Sequence, residues 1–433
     1  MNATHDAPAV RLAAGVLLAA LLLALSACSA GAGAEVDDAS PAAAAEGGGA
    51  ASPVGEGGAT DGGSPFGGDG GAGFDATLGD AMGATAVEAG PGADAADGGS
   101  LTDAALNPDV LAVMSKVAQY GITQYGDAGC DWASAAFYPG LLATYEATQD
   151  PAFLQAATNW AQDAQWLVCT ANPAGPTFAD NECCTQTYTQ LYMLDESAAT
   201  AVRIKSAQSV FDSMIADPVP GQTLWNWADA LFMAPPAIAL MGAATGEAKY
   251  FSYLDTTYWE AAAQLFDPTT GLFWRDPPSA SETSFWSRGN GWVIAGTARI
   301  LDYLPPADAK YGAFVTQLKT MAAAIAPLQN QTDGLWRSNL LDASQYPNPE
   351  TSGSGFFVYA MAWGVSRNVL DATTYLPVVR KGWDGLVSAV NAEGAVGWVQ
   401  GVGSAPGPAT QTSTAPYGAG AFLLAGSEVA KVY

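Results

Sequence analysis

The chain has 433 residues and carries 42 Asp and Glu against 15 Lys and Arg, a formal net charge of −27. That balance argues against nucleic acid and anionic membrane surfaces as partners, since both would repel it. Composition is uneven along the chain, so the folded part has to be located before its size means anything.

Residues 1–28 have the pattern of an export signal. Leu12 to Leu25 is an apolar run of signal-peptide length, too short for a comfortable membrane span, and Arg11 is the only basic residue before it. The run ends in Leu25-Ser26-Ala27-Cys28. This resembles the bacterial lipobox, which implies a lipid anchor on Cys28 and an exported lipoprotein, periplasmic or held at the outer membrane or cell surface. Residues 29–103 follow as a tether. From Ser29 to Ser100 the chain holds no Lys or Arg and is mostly Gly, Ala, Asp, Glu, Ser and Pro. Alanine buries too little apolar surface to offset the ordering of such a chain.

Residues 104–433 are rich in Trp, Tyr, Phe, Leu and Ala and can build one large core. Two kinds of helix alternate there. Segments 151–166, 201–217, 249–266, 308–326 and 375–392 are amphipathic at helical spacing. Segments 137–148, 231–246, 291–304, 355–370 and 417–430 are apolar nearly all round, with many Gly and Ala. The second kind must be buried on every side. About twelve helices in this alternation predict an all-α fold, an (α/α)6 barrel of six helical hairpins with the apolar helices inside.

Polar and aromatic motifs stand just before several inner helices: FADNECC at 178–184, WNWADALFM at 225–233, WSRGNG at 286–291 and PETSGSG at 349–355. Parallel inner helices would bring these loops together at one end. Asp229 precedes Pro235 and Pro236, which mark a helix start. Nearby Trp225, Trp227 and Phe232 would desolvate it and favour a general acid, a helix N-terminus would lower its pKa, and an N-cap or salt-bridge role is the alternative reading. Asp180 reads either as a helix N-cap or as a second carboxylate beside Asp229. Arg288 offers a bidentate fork for a carboxylate, Gly289 and Gly291 around Asn290 allow close backbone approach, and Trp286 and Trp292 have flat faces for sugar rings; a Gly-rich turn between helices with core tryptophans is the alternative. Arg275 supplies another cation, able to pair with Asp276. Glu350 to Gly355 reads first as a helix start, whose donors, Ser352 among them, could also hold a substrate carboxylate. Cys130, Cys169, Cys183 and Cys184 leave three pairings open, with a bond between the vicinal pair disfavoured. The only histidine is His5, in the leader. A zinc site and any histidine-dependent triad are therefore not expected, and no cofactor is called for.

WNWADALFMAPP, WSRGNGWVIAG, PETSGSGFFVYAMAWGV and the tail from Gly397 resemble the unsaturated uronyl hydrolases of glycoside hydrolase families 88 and 105, in the family's order of motifs. The resemblance implies an (α/α)6 barrel without a metal, acting on oligosaccharides that carry a terminal 4,5-unsaturated uronate. Rhamnogalacturonan- or pectin-type substrates are favoured. It implies that Asp229 protonates C4 of the enol ether and that water adds at C5. It places Trp286, Arg288, Gly289, Gly291 and Trp292 around the uronate, with Trp227 a further candidate for substrate binding. Members carry two consecutive aspartates and then a glycine at the second acidic motif. This chain has Asp180-Asn181 and then Thr185. Other exo-glycosidase or lyase chemistry on the same barrel, and a non-catalytic glycan-binding lipoprotein, are the competing readings.

Overall fold

A computed structural model describes residues 105–126, 129–197, 199–278 and 284–433. The signal segment, Cys28 and the tether lie outside the described residues. Twelve long helices carry the described fold, and we number them in chain order. The odd ones are α1 (Pro108–Tyr125), α3 (Pro151–Asp163), α5 (Val202–Ala216), α7 (Ala248–Leu265), α9 (Tyr311–Ile325) and α11 (Ala372–Ser388). The even ones are α2 (Tyr138–Thr148), α4 (Cys184–Met193), α6 (Pro235–Thr245), α8 (Ser287–Tyr303), α10 (Thr351–Ser366) and α12 (Pro416–Val432).

The even helices form a closed ring. Each packs on the next, and α12 returns to pack on α2. The odd helices bridge neighbouring members of that ring from outside, as α1 does for α12 and α2, and α11 for α10 and α12. This is the six-hairpin barrel that the alternation predicts. The cause is visible in single helices. In α10 every residue from Thr351 to Val365 is buried, whereas α1 buries only Val110, Met114, Val117, Ala118 and Gly121, one stripe at helical spacing. Small residues let the inner helices approach closely. A Cβ added at Gly355 of α10 would stand 2.9 Å from the Cβ of Ala421 in α12.

Capping residues set the helix starts. Asn107 accepts from the backbone N–H groups of Asp109 and Val110, and Asp150 from that of Ala152, each ahead of a proline in the first turn. Two short strands, β1 (Phe266–Asp267) and β2 (Leu272–Phe273), pair antiparallel and lead the chain to Arg275. Of the three possible cysteine pairings the structure holds Cys130–Cys169, with Cys183 and Cys184 as buried free thiols.

Candidate functional site

The inner helices all start at one end of the barrel, and their leading loops are tied together there. The Ala228 N–H donates to the Arg275 carbonyl at 2.8 Å, joining the loops before α6 and α8. The Ser287 N–H donates to the Ser338 carbonyl at 2.8 Å, and that of Thr351 to the Trp398 carbonyl at 3.0 Å, which brings in the loops before α10 and α12. The Cys130–Cys169 bond links the loops before α2 and α4. Aromatic rings continue the rim. Phe178 stacks on Trp227 with centroids 4.9 Å apart, and Trp132 stacks on Tyr417 at 5.4 Å. The sequence motifs converge because hydrogen bonds between sequence-distant loops hold them.

Asp180 and Asp229 carry the titratable chemistry of this end. Asp229 sits where a cap would, ahead of the helical turn Ala230–Met233, yet its side chain accepts no cap hydrogen bond. The residue is 8 % exposed, and burial raises its pKa against the opposing pull of Arg275 and then Arg288. Asp180 also differs from the cap expectation. It lies inside the short helical turn Ala179–Glu182, with Phe178 at the cap position. Burial first, then the charge of Asp229, push its carboxyl up to about 6, with Arg275 opposing. The Arg275 Nε donates to Asp229 Oδ2 at 3.3 Å, and its Nη1 to Asp276 Oδ1 at 2.6 Å. One half-exposed guanidinium thus stands between a buried acid and a solvent-facing one.

The other residues singled out in the sequence form a frame. Arg288 is 1 % exposed and donates to the carbonyls of Gln400 at 2.6 Å and Gly401 at 2.9 Å. Its guanidinium lies between the rings of Trp286 and Tyr417. The Trp286 indole N–H donates to Gln400 Oε1 at 2.8 Å. Asn290 accepts from the Phe273 N–H and donates to the carbonyls of Phe273 and Trp286. Trp292 is buried against Phe232, Phe356 and Trp132. A Cβ at Gly289 would lie 3.1 Å from the Trp286 ring, so glycine lets that indole close over the helix start. Glu350 caps α10, accepting from Ser352 N–H at 3.0 Å and Gly353 N–H at 2.7 Å, and it also accepts from the Ser352 hydroxyl. Trp286 and Trp292, expected to offer faces to sugar rings, and Asn290 and Ser352 beside them are all buried. Their polar contacts and packing hold the loops, while Trp227, Phe178, Trp132 and Arg275 stand at the rim.

Asn181 has a structural explanation as well. Its side chain accepts from the Asn172 N–H at 2.9 Å and donates to the carbonyls of Asn172 and Gly175, both at 2.8 Å. A carboxylate could accept there but could not donate. Sequence reasoning missed Gln400, Tyr417, Trp132 and Phe178. Gln400 lies 112 residues from Arg288, and no local pattern marks the pair. Among the described residues no three Asp, Glu, His or Cys side chains gather closely enough to hold a metal ion.

A sequence profile described as Glycosyl Hydrolase Family 88 matches residues 111–433. The unsaturated 3S-rhamnoglycuronyl hydrolase of Formosa agariphila is 36 % identical over 326 residues, covering 70 % of this chain and 85 % of that protein. A solved family 88 glycosyl hydrolase from Bacteroides vulgatus is 31 % identical, with a TM-score of 0.70 over 75 % of this chain and 98 % of the other. A solved structure titled as a polysaccharide lyase is 32 % identical, with a TM-score of 0.69 over 75 % and 97 %.

Proposed function

Because the chain belongs to Glycosyl Hydrolase Family 88, we propose that its substrate is an oligosaccharide ending in a 4,5-unsaturated uronate linked to rhamnose, from which the uronate is released. The chain is a glycoside hydrolase of a family that acts on glycosides of unsaturated uronic acids. The observation that carries the proposal is the buried Asp229 paired with Arg275, with the partly buried Asp180 close enough to feel its charge. Asp229, desolvated and not used as a cap, donates a proton to C4 of the C4=C5 enol ether. The positive charge that develops at C5 is shared with the ring oxygen, and the carboxylate of Asp180 faces it. Water adds at C5, and its second proton returns to the carboxyl pair. The resulting hemiketal opens to a ketone, and C1 expels the leaving sugar. The anomeric carbon is never attacked, so the usual carboxylate spacings of glycosidases do not govern this site. Arg275 takes the uronate carboxylate, since it is the more exposed of the two cations, whereas Arg288 is 1 % exposed and its Nη1 and Nη2 donate to backbone carbonyls.

Rhamnose on the leaving side rests on the Formosa agariphila relative. Elimination makes C4 and C5 trigonal and so erases the C4 stereochemistry that separates glucuronate from galacturonate. Discrimination must then come from the sugar beyond. The test follows ultraviolet absorbance of the C4=C5 bond with lyase-generated oligosaccharides bearing plain or 3-sulfated rhamnose, or another hexose, beside the uronate. Absorbance should fall on a rhamnose substrate. No fall on any of them would overturn the proposal. The lyase reading, which the lyase-titled structure favours, predicts a rise of absorbance on saturated polysaccharide instead. The anchor on Cys28 is proposed from sequence alone, and loss of membrane association in a Cys28→Ala variant is the check.

A further inference from the structure

The loop that carries Asp229 has a defect in its backbone bonding. In a continuous helix the Leu231 and Phe232 carbonyls would accept from residues 235 and 236. Both are prolines and have no N–H. The Met233 carbonyl loses its partner too, because the Ala237 N–H turns to the Ala234 carbonyl at 2.9 Å. The turn Ala230–Met233 therefore ends in open acceptors inside the barrel. Its other end is Asp229, whose own carbonyl accepts from the N–H groups of Phe232 and Met233.

One side chain satisfies two of these three carbonyls. The amide of Gln186, in α4 and fully buried, donates from Nε2 to the Phe232 carbonyl at 2.8 Å and the Met233 carbonyl at 3.2 Å. A primary amide has two N–H donors, enough for both. The amide must then present its oxygen the other way, and the Nε of Arg299 in α8 donates to Gln186 Oε1 at 2.8 Å. The Arg299 Nη2 donates to Gln190 Oε1, one turn further along α4, at 3.1 Å. Arg299 cannot lose its proton at ordinary pH, so it fixes which way the Gln186 amide points. It also lines a cavity of about 270 Å³ with Gln190, Asp302, Tyr303, Arg367 and Glu428, which come from the far halves of the inner helices.

We propose that Gln186 and Arg299 are positioning residues for the reaction, a polar strut across the barrel that holds the Ala230–Met233 turn and thereby sets Asp229 against Arg275 and the substrate. Neither touches the substrate. The proposal rests on Asp229 being the proton donor. Without the strut the turn is free to shift, and a displacement of about 1 Å at a reacting group costs on the order of 100-fold in rate.

The test compares Gln186→Leu and Arg299→Ala with wild type and Asp229→Asn on the unsaturated disaccharide. It follows kcat, KM, the pH profile and the melting temperature. Gln186→Leu is expected to lose about 100-fold in kcat with KM within about threefold. The alkaline limb of the kcat profile should move up in pH as Asp229 draws away from Arg275. Arg299→Ala is expected to lose kcat similarly and to regain part of it in millimolar guanidinium, which can enter through the cavity. A folded Gln186→Leu variant with wild-type kcat overturns the strut. So does an Arg299→Ala loss that guanidinium leaves unchanged, which keeps the test decisive even where the Gln186 variant does not fold. If Asp229→Asn is inactive while both strut variants are fully active, the strut fails and the catalytic reading stands. An active Asp229→Asn variant defeats the reading itself.

Discussion

Replacing Asp229 by asparagine is the most direct test of the catalytic reading. The substitution keeps size and shape, removes the transferable proton and breaks the ion pair with Arg275 at 3.3 Å. The pair is a single contact whose Coulomb gain is set against the burial that raises the Asp229 pKa, and Arg275 keeps Asp276 as a partner when it is broken, so its net contribution is about 1 kcal/mol. In a domain of this size that amounts to a few degrees of melting temperature, about 2–4 °C per kcal/mol. Asp229 makes no cap hydrogen bond, so no helix end is undone. Loss of a positioned general acid costs about 10²–10⁴ in rate, or roughly 3–5 kcal/mol of barrier. Rate and stability should therefore separate: kcat falls at least about 100-fold while the melting transition barely moves. Arg275, freed from its carboxylate, remains available to the uronate, so KM should not rise. The assay is disappearance of the enol-ether absorbance, with calorimetry on the same preparations. A wild-type rate in the Asp229→Asn variant refutes the assignment. A large fall in melting temperature would instead show that the carboxylate serves the fold.

Other substitutions probe the surroundings. Arg275 holds down the pKa of both Asp180 and Asp229; in an Arg275→Met variant both acids keep their protons to higher pH. The alkaline limb of kcat should move upward, and kcat/KM should fall about 10- to 100-fold through loss of a charged hydrogen bond to the substrate, and a limb that stays in place contradicts this electrostatic picture. Glu182 is 0 % exposed with both carboxylate oxygens unpartnered, and burial raises its pKa well above 4.5. A raised carboxyl contributes stability below its unfolded pKa that is lost as pH rises toward its folded one. Glu182→Leu should therefore stabilise the fold by about 1–3 kcal/mol at neutral pH, with the gain shrinking toward pH 4; thermal melts across that range would expose a pH-independent difference as contrary. Cys130 and Cys169 are 39 residues apart, and the chain-entropy relation gives about 4 kcal/mol for closing such a loop. Cys130→Ser should lower the melting temperature by roughly 10 °C, and an unchanged transition would show that the bond contributes little.

Much of the barrel can be read from local pattern. Segment 355–370 is apolar all round and segment 151–166 apolar on one side, and they become an inner and an outer helix for that reason. Pro235 and Pro236 mark the start of α6 in the sequence as they do in the structure. Asp180 and Asp229 stand out as acids among aromatic residues. What the local pattern cannot supply is the partner of each polar atom. Arg288 has the right chemistry for a carboxylate, but the carbonyls of Gln400 and Gly401 reach it first. Asn181 seems a lost charge until Asn172 and Gly175 are seen around it.

The sequence by itself determined the all-helical alternation, the positions of the loop motifs and the family to which they belong, because periodicity and helix punctuation act over a few residues. The partners of the motif side chains, such as the carbonyls of Gln400 and Gly401 on Arg288, came from the tertiary structure. It also decided that burial raises both carboxyls and that the charge of Asp229, about fifty residues along the chain, raises that of Asp180 further. Desolvation and Coulomb interaction depend on distance in space, which separation along the chain does not specify.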